Sequence, residues 1–84
     1  MKSRILKPKN HAKHVFTVVV RREGNGYVSL CPELDVASQG KSIEDAVAML
    51  KEAVELYLEC APKEEIQRQL QGDIFVTQLE TAHA

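Results

Sequence analysis

The chain contains few aromatic residues and few cysteines. Its 84 residues include no tryptophan, two tyrosines, two phenylalanines and two cysteines. Cys31 and Cys60 do not have the spacing of a metal-binding or redox motif, so we expect reduced, packed cysteines and not a disulfide framework. A chain of this length buries only about 60–65% of the surface that its unfolded form exposes. The sequence therefore predicts one domain with a small core.

Long apolar runs and catalytic motifs are also missing. The run VFTVVV at 15–20 is interrupted by Thr17 and is shorter than the roughly 7–15 residues of a signal-peptide core. No other run approaches the roughly 20 residues of a membrane span. The sequence has no phosphate-binding glycine loop, no HExxH and no nucleophile elbow. We therefore expect a cytoplasmic protein that is not an enzyme, takes no cofactor and does not enter the membrane.

Charge is distributed unevenly along the chain. The first 22 residues contain seven basic and no acidic residues, whereas residues 23–84 contain four basic and twelve acidic residues, a net charge of −8. Such a division favours a module that meets a charged partner, because like charges on one surface attract the opposite sign. The plain alternative is a solvated arm and a solvated helix face, and the charge pattern does not choose between the two.

Several segments have the pattern of strands. Residues 1–14 are basic and lack apolar periodicity, which predicts an N-terminal arm. VFTVVVRR at 15–22 and YVSLC at 27–31 are rich in β-branched residues and are joined by Gly-Asn-Gly, which predicts a hairpin. Residues 36–39 are expected to form a third, short edge strand, and DIFVTQL at 73–79 a late strand.

A long amphipathic helix is the clearest element. Ser42 and Asp45 are close to a capping box, and Pro62 should end the helix, so its expected range is 43–60. The expected buried stripe recurs at three and four spacing and consists of Ile43, Ala46, Val47, Leu50, Ala53, Val54, Tyr57 and Leu58. The expected outer face is acidic and carries Glu44, Lys51, Glu52, Glu55 and Glu59. A second short helix should follow Pro62 and end at Gly72.

These elements predict an α+β fold, a small antiparallel sheet of three to four strands with the long helix across one face. In the first strand Phe16, Val18 and Val20 should point to one face, and Val15 and Val19 to the other. Since one helix covers only one face, apolar surface should remain on the other. We therefore expect self-association, as a homodimer or homotetramer, or burial against a partner.

Three groups of residues were weighed as chemical sites. Cys31 has acidic neighbours, the opposite of what lowers a thiol pKa, so a catalytic role is not expected. Glu33 and Asp35, with Glu44 and Asp45 at the helix start, suggest a residual metal-dependent nuclease as an alternative. The helix N-terminus already explains the second pair, and the first pair is too small for a metal site.

The basic arm gives one further alternative. His11 and His14 form an HxxH without a third ligand in view, so we expect an exposed pair and no metal site. Lys2 to Lys13, with Arg21 and Arg22, favour a regulator that contacts nucleic acid, but this region has no aromatic residue for base stacking before Phe16 and matches no DNA-reading module.

The segment 26–59 resembles a known family. Gly-Tyr-Val precedes a Cys-Pro-Glu-Leu turn, and Ser-Gln-Gly at 38–40 precedes Ser-Ile-Glu-Asp-Ala at 42–46. Leu-Lys-Glu-Ala at 50–53 and Glu-Leu-Tyr-Leu at 55–58 follow. Together these motifs resemble the HicB-like antitoxin family of type II toxin–antitoxin systems, which includes small stand-alone proteins designated UPF0150. The resemblance extends over a single domain at 15–80 and leaves 81–84 as a tail.

The resemblance implies a fold and a partner. It implies a partial ribonuclease-H-like β-β-β-α-β fold, and binding to a small basic HicA-type toxin, an mRNA-cleaving protein whose active site the antitoxin masks. Tyr27, Glu33 and Asp35 are the residues that we expect to face a partner. Full antitoxins of this kind usually add a C-terminal DNA-binding domain. This chain ends shortly after the late strand, so DNA binding is not expected.

Overall fold

The structure, a computed structural model, describes residues 14–83, so the predicted basic arm lies outside the described residues apart from His14. The described residues form three strands and two helices, namely β1 (Val19–Glu23), β2 (Gly26–Cys31), β3 (Val36–Gly40), α1 (Ile43–Cys60) and α2 (Lys63–Gln71). The strands make one antiparallel sheet in the order β1-β2-β3. The predicted α+β class, with a small sheet and a long helix, is confirmed.

The predicted hairpin joins β1 and β2. Gly24 has φ of +60°, and the register pairs Glu23 with Gly26, which leaves a two-residue turn of the II′ kind with glycine first. The first strand begins at Val19, four residues later than the predicted start. Val19 pairs with Leu30, the residue before the last of β2, so the pairing of β1 with β2 extends almost to the end of β2. Pro32 then turns the chain.

The predicted third strand is confirmed and lies at the edge of the sheet. A turn at 32–35 reverses the chain, and β3 then pairs antiparallel with β2 from Val36 opposite Cys31. Asp35 closes the turn with φ of 56°, a left-handed conformation that aspartate tolerates better than most residues. A loop of four residues, 32–35, therefore joins β2 to β3.

The predicted range of α1 is confirmed, and so is its cap. Ser42 Oγ accepts a hydrogen bond from Asp45 N at 3.0 Å, and Asp45 Oδ2 accepts one from Lys41 N at 2.8 Å. The second bond reaches one residue beyond the usual capping box, which would use the N–H of the cap residue itself. Glu44 and Asp45 lie in the first turn, where the helix dipole favours negative charge.

The core lies between α1 and the sheet. The helix lies mainly across β3 and β2, and the buried apolar side chains are those of Cys31, Leu34, Ala46, Leu50 and Val54. At the crossing, a Cβ on Gly40 would lie 2.4 Å from Ala46 N, so only glycine permits this approach. Ser29 is buried, and its Oγ donates to Ala46 O at 2.9 Å. The closest contact between helix and sheet is therefore at the helix start.

Part of the predicted buried stripe remains exposed. Ile43 and Val47 stay exposed, whereas Tyr57 and Leu58 pack partly against the core. The reason is the position of α1 over β3 and β2, which leaves the side of the stripe that faces β1 without a neighbour.

The predicted second helix is confirmed as α2, bounded by Pro62 and Gly72. It is held against the end of α1 and the β2–β3 turn. The Tyr57 hydroxyl lies 3.1 Å from Glu65 Oε2 and also contacts Gln69 Oε1, and Gln69 Nε2 donates to Leu34 O at 3.3 Å. This short helix therefore closes the core through polar contacts, since it contributes no buried residue.

The predicted late strand does not form, so the final β of the β-β-β-α-β pattern is absent from the described residues. Residues 73–83 have no regular secondary structure, and Phe75 and Leu79 are exposed. A strand needs a neighbour for its backbone groups, and none of the strands in residues 14–83 lies beside this segment.

The sheet face opposite α1 keeps apolar surface, as predicted. Val19 and Leu30 pair across β1 and β2 on this open face and remain 43% and 37% exposed. Phe16 packs against the core while Val15 is exposed, as predicted for these two residues, but both precede β1, and Val18 and Val19 are similarly exposed. Neither helix within residues 14–83 has the length and apolarity to cross a membrane.

Gly40→Ala should destabilise the chain, because the new Cβ would overlap the α1 backbone and force the helix from the sheet. We expect the free energy of unfolding to fall by about 1–3 kcal/mol, measured by urea denaturation. Gly72→Ala is the matched control, since its Cβ would meet only Gln69 O at 3.7 Å. We expect that control to change stability by less than about 0.5 kcal/mol. Equal effects of the two changes would contradict the close approach.

Candidate partner-binding site

Tyr27 lines a shallow depression at the hairpin end of the sheet. In the sheet register Tyr27 is opposite Arg22 of β1 on one side and Gly40 of β3 on the other. A depression of about 660 Å³ lies beside Tyr27, and Gly40, Lys41 and Asp45 are among the residues that line it. Tyr27 itself is half-buried. The depression therefore presents one aromatic ring among charged groups, a mixture suited to a polypeptide surface.

Glu33 is held within the chain. Its carboxylate accepts hydrogen bonds from Thr17 N at 2.9 Å and from Thr17 Oγ1 at 2.7 Å, and it lies 3.6 Å from Cys31 Sγ. Partial burial opposes ionisation of Glu33, but the hydrogen bonds from Thr17 outweigh it and lower the pKa of the carboxyl group. Glu33 therefore ties the segment before β1 to the turn after β2.

The three predicted partner-binding residues do not form one cluster. Tyr27 lies beside the hairpin turn, whereas Glu33 and Asp35 lie in the turn beyond Cys31 at the other end of β2. An extended strand rises about 3.3 Å per residue, which separates Tyr27 from Cys31 by roughly 13 Å. Asp35 is exposed, and its contact with a partner stays a prediction, as do the contacts of the other two.

The two thiols differ in environment. Cys31 is fully buried, and desolvation together with the nearby Glu33 charge raises the pKa of its thiol. Cys60 is exposed at the end of α1. Burial and a neighbouring anion are the opposite of the cationic surroundings that activate a thiol. Cys31 is therefore placed as a packed core residue, in agreement with its sequence context.

The carboxylates considered for a metal site do not converge. Within residues 14–83 no three His, Cys, Asp or Glu side chains are grouped as metal ligands would be. The Glu33 carboxylate accepts a hydrogen bond from Thr17 N, and the Asp45 carboxylate accepts one from Lys41 N. These two carboxylates lie at different ends of the sheet. His14 stacks on Phe16 at 6.1 Å between ring centroids, while His11 lies outside the described residues.

The outer face of α1 is acidic, as predicted. Glu52, Glu55 and Glu59 are exposed and lie three and four positions apart, on the face turned from the sheet. We call these three residues the acidic ridge. Glu59 occupies the last turn of α1, which contains no basic residue, although the helix dipole disfavours negative charge there. Lys51, four positions before Glu55, offsets part of the repulsion within the ridge, but helix stability does not account for Glu59.

Two features were missed by reasoning from the sequence. One is the contact of Thr17 with Glu33, which joins residues that are distant in sequence. The other is an apolar groove of about 240 Å³ between the segment before β1 and α1, lined by Phe16, Val18, Cys31, Val47, Leu50, Lys51 and Val54. Val47 belongs to the predicted buried stripe, and its exposure, which marks the groove, is seen only in the structure.

Glu33→Gln should remove a pH-dependent stabilisation. The folded pKa of Glu33 is lowered, so its contribution is present above the unfolded value of about 4.3 and is lost as pH falls through the folded pKa. At pH 7 we expect the free energy of unfolding of the variant to be about 1–2 kcal/mol lower than that of the natural chain, and this difference should shrink below pH 4.

Asp35→Asn is the matched control for this experiment. It removes an equal charge from the same turn and keeps a residue that tolerates the positive φ. Urea denaturation across pH 3–7 should show a change of less than about 0.5 kcal/mol for this variant. A Glu33→Gln difference that is independent of pH would contradict the Thr17 contact.

Alkylation should distinguish the two cysteines. Iodoacetamide should modify Cys60 quickly in the folded chain and Cys31 only when the chain opens, because Cys31 is buried and its pKa is raised. Peptide mass spectrometry after timed quenching measures both rates, and urea should make them similar. Equal rates in the folded chain would contradict the burial of Cys31.

Comparison with known proteins gives one informative match. A stretch of 45 residues is 44% identical to a UPF0150 protein of Helicobacter pylori strain J99, covering 52% of this chain. The chain spans 62% of the length of that relative. No known family profile matches the chain, and no solved structure matches it. The chain is thus similar to a UPF0150 protein, in agreement with that part of the predicted resemblance, and the name of the relative states no activity.

Proposed function

We propose that this chain is a cytoplasmic, non-enzymatic protein-binding module of the antitoxin type. It neutralises a small basic HicA-type mRNA-cleaving toxin by covering the toxin's active site. The resemblance of segment 26–59 to HicB-like antitoxins and the similarity to a UPF0150 protein support this proposal. The acidic ridge is the observation that carries it, because it supplies a surface of the charge that a basic partner requires.

The ridge is costly to the isolated chain. Like charges three or four positions apart destabilise a helix by about 0.2–0.5 kcal/mol for each pair. Glu59 adds an unfavourable interaction with the C-terminal end of the dipole, since the last turn of α1 has no basic residue. A basic partner removes both penalties. Charges that destabilise the free chain and stabilise a complex are expected of a binding surface.

The position of the ridge suits association with a partner. Glu52 and Glu59 are two turns apart, about 10 Å along the helix, so the ridge spans several cationic side chains of a partner. Exposed charges of this kind raise the association rate more than the final affinity. Residues 23–84 have a net charge of −8, which adds a long-range attraction for the same basic partner.

Replacement of the ridge should weaken toxin binding. We expect the triple variant Glu52→Gln, Glu55→Gln and Glu59→Gln to bind about tenfold or more weakly, mainly through slower association. The matched control, Glu23→Gln, Glu44→Gln and Glu64→Gln, loses the same charge at exposed positions elsewhere and should bind within about threefold of the natural chain. Surface plasmon resonance at two salt concentrations measures both.

Co-expression tests the proposal as a whole. The test uses as toxin a small basic protein encoded beside the gene of this chain, and we expect the natural chain to restore growth and to co-purify with it. Failure of both results, or the lack of such a neighbouring gene, would contradict the antitoxin proposal. Tyr27→Ala and Asp35→Ala in the same assay decide whether either end of β2 contacts the toxin.

A further inference from the structure

The C-terminal segment 74–79 is an unpaired strand sequence. Its apolar residues remain open to solvent, with Phe75 85%, Val76 71% and Leu79 89% exposed. The segment IFVTQL is rich in β-branched and aromatic residues and contains no proline or glycine. A segment of this composition that is left exposed tends to pair with a sheet edge. We call residues 74–79 the tail segment.

The outer edge of β1 is available for pairing. β1 is an end strand of the three-stranded sheet, so every second residue presents its backbone N–H and C=O groups outward. Arg21 and Arg22 are exposed on this strand. The other end strand, β3, has the sequence VASQG and carries no charge.

An apolar groove lies beside the same strand. Phe16 and Val18 form one wall and Val47 and Val54 of α1 the other, over the buried Cys31. Nearly all of its lining is apolar, because α1 lies mainly over β3 and β2 and leaves this side uncovered. A strand added to β1 would place alternate side chains over the groove and the remaining ones beside the open sheet face.

We propose that the tail segment of one copy pairs as a fourth strand with the β1 edge of a second copy, in a reciprocal homodimer with twofold symmetry. β1 carries Arg21 and Arg22 together with Glu23, and the tail segment is flanked by Asp73 and Glu80, so the acidic end of the added strand that lies beside the two arginines complements their charge. β-strand addition supplies the backbone hydrogen bonds that the tail lacks, and the groove takes one row of its apolar side chains. This inference does not depend on the antitoxin proposal.

The charges of the two sheet edges favour β1 over β3 as the pairing site of the tail segment. Charged residues on an edge strand normally prevent indiscriminate pairing. Arginines on β1 repel a basic strand and attract one with acidic ends, which is the pattern of the tail segment. The uncharged β3 edge offers no such selection, which favours β1 as the site.

Val76→Pro and Thr77→Pro, each made alone, test the pairing, because the N–H groups of adjacent strand residues point to opposite sides and one of the two must face β1. Proline within a strand removes a ladder hydrogen bond and clashes with the neighbouring backbone, whereas the exposed position of Val76 leaves the monomer fold intact. The natural full-length chain should be a dimer at micromolar concentration by sedimentation equilibrium. At least one of Val76→Pro and Thr77→Pro should raise the dimer dissociation constant about tenfold or more, and Ala82→Pro, outside the tail segment, should not change it.

Exchange of charge tests the edge. Arg21→Glu with Arg22→Glu should weaken the dimer, and the further changes Asp73→Lys with Glu80→Lys should restore it. Far-UV circular dichroism confirms that each variant is folded. A dimer that resists both Val76→Pro and Thr77→Pro, or a loss of dimer that the lysines do not restore, would overturn the assignment of this edge.

Hydrogen exchange distinguishes two copies from one. The amides of the tail segment should be protected above the dissociation constant of the dimer and should lose protection on dilution below it. Protection that does not depend on concentration would mean that the tail pairs with its own sheet. A natural chain that remains monomeric at 100 micromolar would also overturn the proposal. Neither result would bear on toxin binding.

Discussion

The approach of α1 to β3 at Gly40 is the contact on which the rest of the structure depends. The α1 backbone at Ala46 lies where any side chain of residue 40 would stand. That approach brings Ala46 O within 2.9 Å of Ser29 Oγ in the central strand. The cap at Ser42 fixes the start of the helix, so it also fixes which residue meets Gly40. One glycine and one cap therefore decide that Leu50 and Val54 cover the sheet.

Fixing α1 over β3 and β2 leaves the β1 side of the sheet weakly covered. The ladder between β1 and β2 ends at Val19, yet Phe16 still packs against the core. The hydrogen bonds from Thr17 to Glu33 hold this preceding segment where no ladder holds it. A charged side chain thus replaces a stretch of sheet pairing, and hydrogen bonds to ionised groups are strong enough to do so. The apolar groove is the space that remains between this segment and α1.

Local signals in the sequence predicted most of the fold. Gly24 predicted the hairpin, Ser42 the start of α1, and Pro62 and Gly72 the bounds of α2, because each acts through its own backbone. The late strand was predicted wrongly, because composition shows that a segment can pair and not that a neighbour is present.

The candidate site was less predictable than the fold, for a similar reason. Tyr27, Glu33 and Asp35 are close in sequence, but an extended strand and a turn place them at opposite ends of β2. The carboxylate of Glu33 turned out to be occupied by Thr17, a contact between distant residues that no local pattern reveals. Residues that are three or four positions apart are neighbours in space on a helix, whereas the same separation along an extended strand places them more than about 9 Å apart.

The two proposed surfaces do not compete. The acidic ridge lies on the side of α1 turned from the sheet, whereas the β1 edge and the tail segment lie beside the sheet. Two copies of an acidic body repel each other, so a stable dimer needs the orientation in which the arginines of β1 meet one acidic end of the tail segment. That orientation leaves both ridges in solvent. A dimer formed through this edge therefore presents two acidic ridges, and its assembly leaves them available to a basic partner.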